Sequence, residues 1–331
     1  ARALGTLPAG DREAEVAAAL RAAARDHEAS VRLDATGSLT TRLGAESAAD
    51  LADRLDDDSP DVRRAAAAGL TQVGEPGAAV LVASLTAEAV RVREVAATIL
   101  AEASVIGVPE RQTLLCARLA SDPAPVVRIA AAHGLASLGA AADEGEPAPV
   151  QRTLTLALER DLDAEVRRTA AASLGVLGDT SAIAALVQGL GDSFSVVRAA
   201  ALSSLTALGW TAEGGVAKAM VALAQGDWKG LARVGVPALP LLAQTLAERG
   251  LDSITVERRL RATDALLTIG LAESGDAVAA LILTALKDES AKVRRVSAVA
   301  AQRLALQVAA DRLLTLAETD TFDAVREAAA R

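Results

Sequence analysis

Few side chains in this sequence could perform catalysis or bind a metal ion. The chain has two histidines, His27 and His133, and one cysteine, Cys116. A metal site needs several such ligands together, and covalent catalysis needs a nucleophile beside a base. The aspartates at 56–58 are adjacent, but they fall at a helix end and its turn, where a solvated acidic cluster is the ordinary outcome. Because no Cys-x-x-Cys, His-Glu-x-x-His, Walker or Gly-x-Ser-x-Gly motif occurs, we expect no catalytic residue, metal or cofactor.

An arginine and an aspartate do recur with regular spacing. The stretch "DSPDVRRAAAAGLTQVG" at 58–74 returns as "DAEVRRTAAASLGVLG" at 163–178. The arginine of the Val-Arg pair recurs about every 30–39 residues. One interval is longer, and it holds a degenerate copy at Arg259. The Val-Arg arginines are Arg32, Arg63, Arg93, Arg128, Arg167, Arg198, Arg294 and Arg326. The aspartate precedes it by six residues, except that Ala87 precedes Arg93, and it is found at Asp26, Asp57, Asp122, Asp161, Asp192, Asp288 and Asp320. Guanidinium groups can bind phosphate, but a constant spacing to a carboxylate favours an ion-pair ladder, within one repeat or to the next.

Each repeat reads as two helices that hold this arginine and aspartate in place. Val62, Ala66 and Leu70 follow helical spacing, which predicts one apolar stripe. Ser59-Pro60 is typical of a helix start and Gly74 of a helix end. Another apolar segment precedes each such helix, so we predict a helix A, a turn carrying the aspartate, and a helix B carrying Val-Arg.

A single helix pair cannot bury both of its apolar faces, so the pairs must stack. Apolar residues make up 51% of the 331 residues but aromatic residues only 1%, which favours many close contacts between helices over one large core. We therefore predict an all-α, right-handed α-solenoid of about ten antiparallel helix pairs. The sequence also resembles a piece cut from a longer array, since "ARALGTL" reads as the tail of a repeat and "AVREAAAR" as a repeat cut short.

The repeat resembles the HEAT-repeat family, in the short form of prokaryotic arrays and phycobilin-lyase-like proteins. The residues that carry the resemblance in one repeat are Asp57, Val62, Arg63, Ala66, Leu70 and Gly74. The resemblance implies a bacterial protein whose B helices line a concave face. It also implies a structural ladder between adjacent turns, made by Asp57, Arg63, Asp122, Arg128, Asp161, Arg167, Asp192, Arg198, Asp288 and Arg294. His27-Glu28 is similar to the metal-binding pairs of deoxyhypusine hydroxylase, but that enzyme needs several pairs and this chain has one.

Three stretches break the regular pattern, and one of them, "WTAEGG" at 210–215, is typical of a turn. An acidic connection over 139–149 is typical of a solvated loop. In "QGDWKGLARVGVPALPLL", residues 225–242, Trp228-Lys229 replaces Val-Arg, and two prolines with three glycines predict a shortened B helix. Trp228 would either fill the space left by the missing turn or serve as an exposed anchor for a partner. We predict one continuous array with an irregular joint, dividing it into residues 1–225 and 226–331.

The expected function is a non-catalytic scaffold that binds a protein or peptide, with an acidic segment favoured, along the concave B-helix surface. The candidate contact residues are Arg64, Glu94, His133, Arg168, Arg295 and Trp228. Two alternatives stay open: an accessory or chromophore-lyase-like subunit acting on a substrate protein, and a nucleic-acid-binding module. A net charge of −9 disfavours nucleic acid and anionic membranes, and no apolar run is long enough to span a membrane. A single cysteine cannot form an intrachain disulfide, so we expect a cytoplasmic protein.

Overall fold

A computed structural model describes residues 1, 12–139, 149–273 and 275–331. The "ARALGTL" stretch beyond Ala1, and all but the end residues of the acidic connection at 139–149, lie outside this part of the chain. The described residues form α-helices and short 3-10 turns, with no strand among them. The chain divides into two compact units, Ala1–Gly189 and Leu190–Arg331.

The first unit contains eleven of the helices that the structure describes. They are α1 (Glu13–Ala23), α2 (Ala29–Leu43), α3 (Ala48–Arg54), α4 (Pro60–Gln72), α5 (Glu75–Ser84), α6 (Val90–Leu100), α7 (Val108–Ser121), α8 (Pro125–Leu138), α9 (Pro149–Arg160), α10 (Ala164–Leu177) and α11 (Ile183–Gly189).

The second unit continues the same alternation of helices. They are α12 (Ser195–Ala207), α13 (Gly214–Gln225), α14 (Trp228–Val234), α15 (Leu239–Ala247), α16 (Ser253–Ala272), α17 (Asp276–Ala285), α18 (Ala291–Arg303), α19 (Ala310–Thr319) and α20 (Asp323–Ala330). Odd-numbered helices occupy the predicted A positions and even-numbered helices the B positions.

Stacking of helix pairs buries the apolar stripes. In the first unit α4 packs against α2 and α6, and α8 packs against α6 and α10, so each of these B helices lies between two others. In the second unit α18 packs between α16 and α20 in the same way. Every helix from α3 to α10 contributes a fully buried leucine, at Leu51, Leu70, Leu81, Leu100, Leu115, Leu135, Leu154 and Leu174. The prediction of an all-α solenoid is confirmed.

Close packing of these helices requires small residues at the crossings. In α4, a Cβ placed on Gly69 would lie 2.4 Å from Thr40 Oγ1 of α2 and 3.0 Å from Leu51 Cδ1 of α3. No side chain fits there without movement of its neighbours. At the end of α4, Gly74 has a φ of 75°, which a glycine adopts without the strain other residues would suffer. The turn to α5 therefore follows directly.

Candidate functional site

In the repeats that have it, the aspartate fixes the turn between helices A and B. The Oδ1 atom of Asp57 accepts a hydrogen bond from the Ser59 amide at 3.0 Å, and Asp122 does the same for the Ala124 amide at 3.0 Å. The arginine six residues further on closes the turn from the other side. Arg63 Nη1, for example, donates to the Asp57 and Asp58 carbonyls at 2.7 and 3.0 Å. Each arginine is thereby held against the turn of its own repeat.

The rest of the guanidinium joins one helix pair to the next. The Nε and Nη2 atoms donate to the two carboxylate oxygens of the aspartate in the following pair, which is the bidentate geometry that arginine favours. We call these contacts rungs. Their Nε–O distances are 2.8 Å for Arg32–Asp57, 2.8 Å for Arg93–Asp122, 2.7 Å for Arg128–Asp161, 2.7 Å for Arg259–Asp288 and 2.7 Å for Arg294–Asp320.

The rungs are largely shielded from water, and in the Arg93–Asp122 rung both groups have a shifted pKa. The Arg93 and Asp122 side chains are 9% and 1% exposed. Burial disfavours the charged form of Asp122, but hydrogen bonds from Arg93 and the Ala124 amide outweigh it and hold its pKa below the usual value. Hydrogen bonding to Asp122 raises the pKa of Arg93 in turn. The Arg93–Asp122 rung is therefore an ionised pair at neutral pH.

The sequence pattern did not assign Arg259 to the ladder, although the structure does. It is fully buried, and no aspartate stands six residues before it. Its Nη1 and Nη2 atoms instead donate to the carbonyls of Glu248 and Gly250, at 3.1 and 3.0 Å. Its position as a degenerate copy of the arginine, one repeat before Asp288, was the only signal in the sequence.

Arg167 lies in the first unit and Asp192 in the second. Each residue makes contacts within the turn of its own repeat. Arg167 Nη1 donates to the carbonyl of Asp161 at 2.8 Å and to that of Leu162 at 3.3 Å. Asp192 Oδ1 accepts from the Phe194 amide at 2.8 Å. The arrangement within each turn is the same as in the other repeats.

Two arginines inside the units have no rung to the helix pair that follows them. Arg63 has Ala87 where the next pair would supply an aspartate. Arg198 is 3% exposed, and its buried Nε finds no hydrogen-bond acceptor in the described part of the chain. Burial, together with the nearby charge of Arg258, lowers the pKa of Arg198 to about 10. Both positions interrupt the ladder.

Two exposed residues, Arg64 and Thr98, and the partly exposed Glu94 come together on α4 and α6, and Arg64 and Glu94 are predicted contact residues. Arg64, Glu94 and Thr98 line one shallow cavity of about 200 Å³, with Arg63 beside them. The Arg64 side chain is 74% exposed, and its Nη1 lies 3.2 Å from the Asp61 carboxylate. Adjacent B helices thus present charged groups of both signs on one surface.

The other candidates lie on separate helices. His133 on α8 is exposed. Arg168 on α10 is partly exposed and its Nε contacts the Glu165 carboxylate at 2.6 Å. Arg295 on α18 is exposed and belongs to the second unit. These residues stand singly, so they do not form a cluster with the cavity between α4 and α6.

Trp228 lies at the start of α14, which is only seven residues long. This agrees with the predicted shortening of the B helix. The indole is partly buried and packs against the apolar core of the second unit, which supports its role as a filler of the space left by the short helix. The predicted joint at residue 226 lies inside the second unit and stays a prediction.

The residues capable of other chemistry are dispersed. The His27 side chain is 87% exposed, and its Nδ1 lies 3.0 Å from the Asp26 carboxylate. Burial raises the pKa of the Cys116 thiol, against a hydrogen bond with Thr153 that lowers it. Within residues 12–139, 149–273 and 275–331, no group of three or more histidine, cysteine, aspartate or glutamate side chains is arranged to hold a metal ion. No helix in that part of the chain combines the length and apolar character that crossing a membrane requires.

Stacked helix pairs joined by arginine–aspartate rungs define a helical-repeat protein. A family model for HEAT repeats matches residues 48–136 and 152–239. These stretches cover more than half of the chain, which therefore belongs to the HEAT-repeat family, as the resemblance in the sequence predicted.

Several solved structures are similar to this one. Kap95p, determined with RanGDP, matches with a TM-score of 0.44 and 16% identity over 96% of this chain and 47% of its own. The YibA protein of Escherichia coli matches with a TM-score of 0.40 and 14% identity over 98% of this chain and 97% of its own. Human deoxyhypusine hydroxylase matches with a TM-score of 0.32 and 21% identity over 81% of this chain and 99% of its own. This chain spans about half the length of the Kap95p chain. Among curated proteins, none matches it.

Proposed function

We propose that this chain is a non-catalytic scaffold that binds a protein or peptide along the exposed positions of its B helices. The observation that carries the proposal is the cavity between α4 and α6, where Arg64, Glu94 and Thr98 converge from two successive repeats. The Val-Arg repeat places equivalent positions on most of the B helices, so one partner segment can contact several repeats in turn.

The rungs support this function by fixing adjacent helix pairs. A surface held by paired charges does not have to be ordered when the partner binds, which reduces the cost of association. The exposed B-helix positions carry no tyrosine or tryptophan, the residues that dominate tight interfaces. We therefore infer a shallow, extended contact whose affinity is spread over several repeats.

We further propose that the bound segment is acidic. Three B helices carry a second arginine directly after the arginine of the Val-Arg pair, at Arg64, Arg168 and Arg295. These positive charges favour a negatively charged partner segment, although the chain as a whole has a net charge of −9. A partner with carboxylates would gain from these guanidinium groups and would lose that gain as salt rises.

Photo-cross-linking tests the location of the surface. A benzoylphenylalanine at Thr98, exposed on α6, is compared in lysate of the source organism with one at Ala79, exposed on helix A α5. We expect a discrete cross-linked partner from Thr98 and none from Ala79. The same partner from Ala79 alone, or no adduct from either position, would overturn the assignment to the B helices.

A further inference from the structure

The missing rung at Arg63 leaves a guanidinium set up for a carboxylate that no residue in the described part of the chain supplies. Arg63 is held like the other ladder arginines: its Nη1 lies 2.7 and 3.0 Å from two turn carbonyls, against 2.9 and 2.8 Å for Arg93. Within the described residues, neither Nε nor Nη2 of Arg63 has a hydrogen-bond acceptor. We call these two donors the Arg63 fork.

The next helix pair lacks the carboxylate because Ala87 stands where the aspartate belongs. The backbone of the turn is unchanged: the Ala87 amide donates to the Ser84 carbonyl at 3.2 Å, as the Asp57 amide does to the Arg54 carbonyl at 3.2 Å. The absent group is therefore a side chain alone. In five other repeats, the equivalent fork takes a carboxylate at 2.7–2.8 Å.

Arg63 also lines the cavity between α4 and α6, together with Arg64, Glu94 and Thr98. At about 200 Å³, this cavity is smaller than the roughly 300–1,000 Å³ typical of small-molecule sites. It has room for one side chain of a partner. The two arginines and one glutamate of its lining favour a singly charged carboxylate over a doubly charged phosphate.

We propose that the Arg63 fork binds the carboxylate of an aspartate or glutamate in an acidic segment of a partner protein, completing the missing rung from outside. The proposal rests on the proposed scaffold function and adds to it the residue and the chemical group that are recognised. A bidentate guanidinium–carboxylate contact fixes both the position and the orientation of the bound side chain.

The test is a titration of the full, ¹⁵N-labelled chain with a capped peptide of alternating alanine and glutamate, observed at the arginine Nε–Hε resonances. Arg63→Lys assigns the Arg63 resonance. We expect that resonance to shift with the glutamate peptide and to stay in place with the glutamine counterpart. The Ala87→Asp variant should close the site, moving the free resonance toward those of the rung arginines and weakening the peptide about tenfold or more.

Thr86→Asp is the matched control, because it adds the same charge at the adjacent exposed position without facing the fork. It should retain the peptide response. The proposal is overturned by an equal response to the glutamine peptide, by unchanged affinity in Ala87→Asp, or by tighter binding of a phosphoserine peptide. Since no natural partner enters this titration, its failure leaves the cross-linking result at Thr98 intact.

Discussion

Each rung arginine uses its guanidinium for two separate contacts. Nη1 holds the turn of its own repeat, while Nε and Nη2 hold the aspartate of the next. Because both ionised groups are buried, the pair adds little compared with an apolar pair of the same size, but removing one partner leaves a buried, unpaired charge. The ladder therefore fixes the register of stacking more than it adds to stability.

Replacing Arg93 by glutamine should therefore strongly destabilise the folded chain. Asp122, 3% exposed, would keep only the Ala124 amide and the more distant Arg118 guanidinium, 3.9 Å away, and we expect a loss of about 3–5 kcal/mol in the free energy of unfolding. Arg198→Gln is the comparison, because its Nε already lacks an acceptor, and it should cost about 1 kcal/mol. Urea unfolding of both variants measures the difference. Equal losses would contradict the role assigned to the rungs.

The lowered pKa of three rung aspartates predicts how stability responds to acid. The pKa values of Asp57, Asp122 and Asp320 lie below the usual value in the folded chain, whereas the unfolded chain takes up protons near pH 4. The stabilising contribution is thus complete above about pH 4 and is lost as pH falls through the folded pKa values. Urea midpoints measured from about pH 6 to about pH 2.5 should fall steeply at the acid end, and less steeply in Arg93→Gln.

At the scale of the helices, packing depends on where a small residue is required. Gly69 lies against Thr40 and Leu51, whereas Gly37 is exposed within α2 and nothing lies within 4 Å of a Cβ placed on it. Alanine at 37 should raise the free energy of unfolding by about 0.5–1 kcal/mol, because alanine favours helix. Alanine at 69 should lower it, since the clash exceeds that gain. Thermal unfolding of the two variants should show shifts of opposite sign.

The short helix α14 allows the two interpretations of Trp228 to be separated. Its indole packs on the core of the second unit, so Trp228→Ala should cost about 2 kcal/mol in the free energy of unfolding. Affinity for the partner captured through Thr98 should stay the same. A variant of unchanged stability that binds more weakly would instead make Trp228 an anchor for the partner.

The helices and their order could be predicted from the sequence, because Val62, Ala66 and Leu70 repeat with the period of a helix. The sequence could not predict which arginine each aspartate would contact. Spacing within one repeat relates Asp57 to Arg63, whereas the carboxylate of Asp57 pairs with Arg32 of the preceding helix pair, and only the stacking shows this. For the same reason, the sequence shows that Ala87 replaces the aspartate, but it does not show that Arg63 is the arginine left without that carboxylate.

At the scale of the whole molecule, the proposed binding function depends on repetition. Successive B helices present the same positions, each of them weak by itself, and a partner that spans several repeats adds their contributions. Exposed charge pairs contribute roughly 0–1 kcal/mol each, so no single arginine should control binding. Under the proposed function, the local guanidinium groups supply the selectivity for a partner's carboxylates, although the chain as a whole is acidic.

The measurement that tests this most directly is the affinity of the captured partner for a variant with Arg64, Arg168 and Arg295 all replaced by alanine. The matched control replaces Arg12, Arg152 and Arg160, which are exposed and lie on or directly before the A helices α1 and α9. We expect the triple B-helix variant to bind more weakly, with a larger loss at low salt than at moderate salt, and the control to bind like the unmodified chain. Unchanged affinity of the B-helix variant at both salt concentrations would contradict binding along this surface.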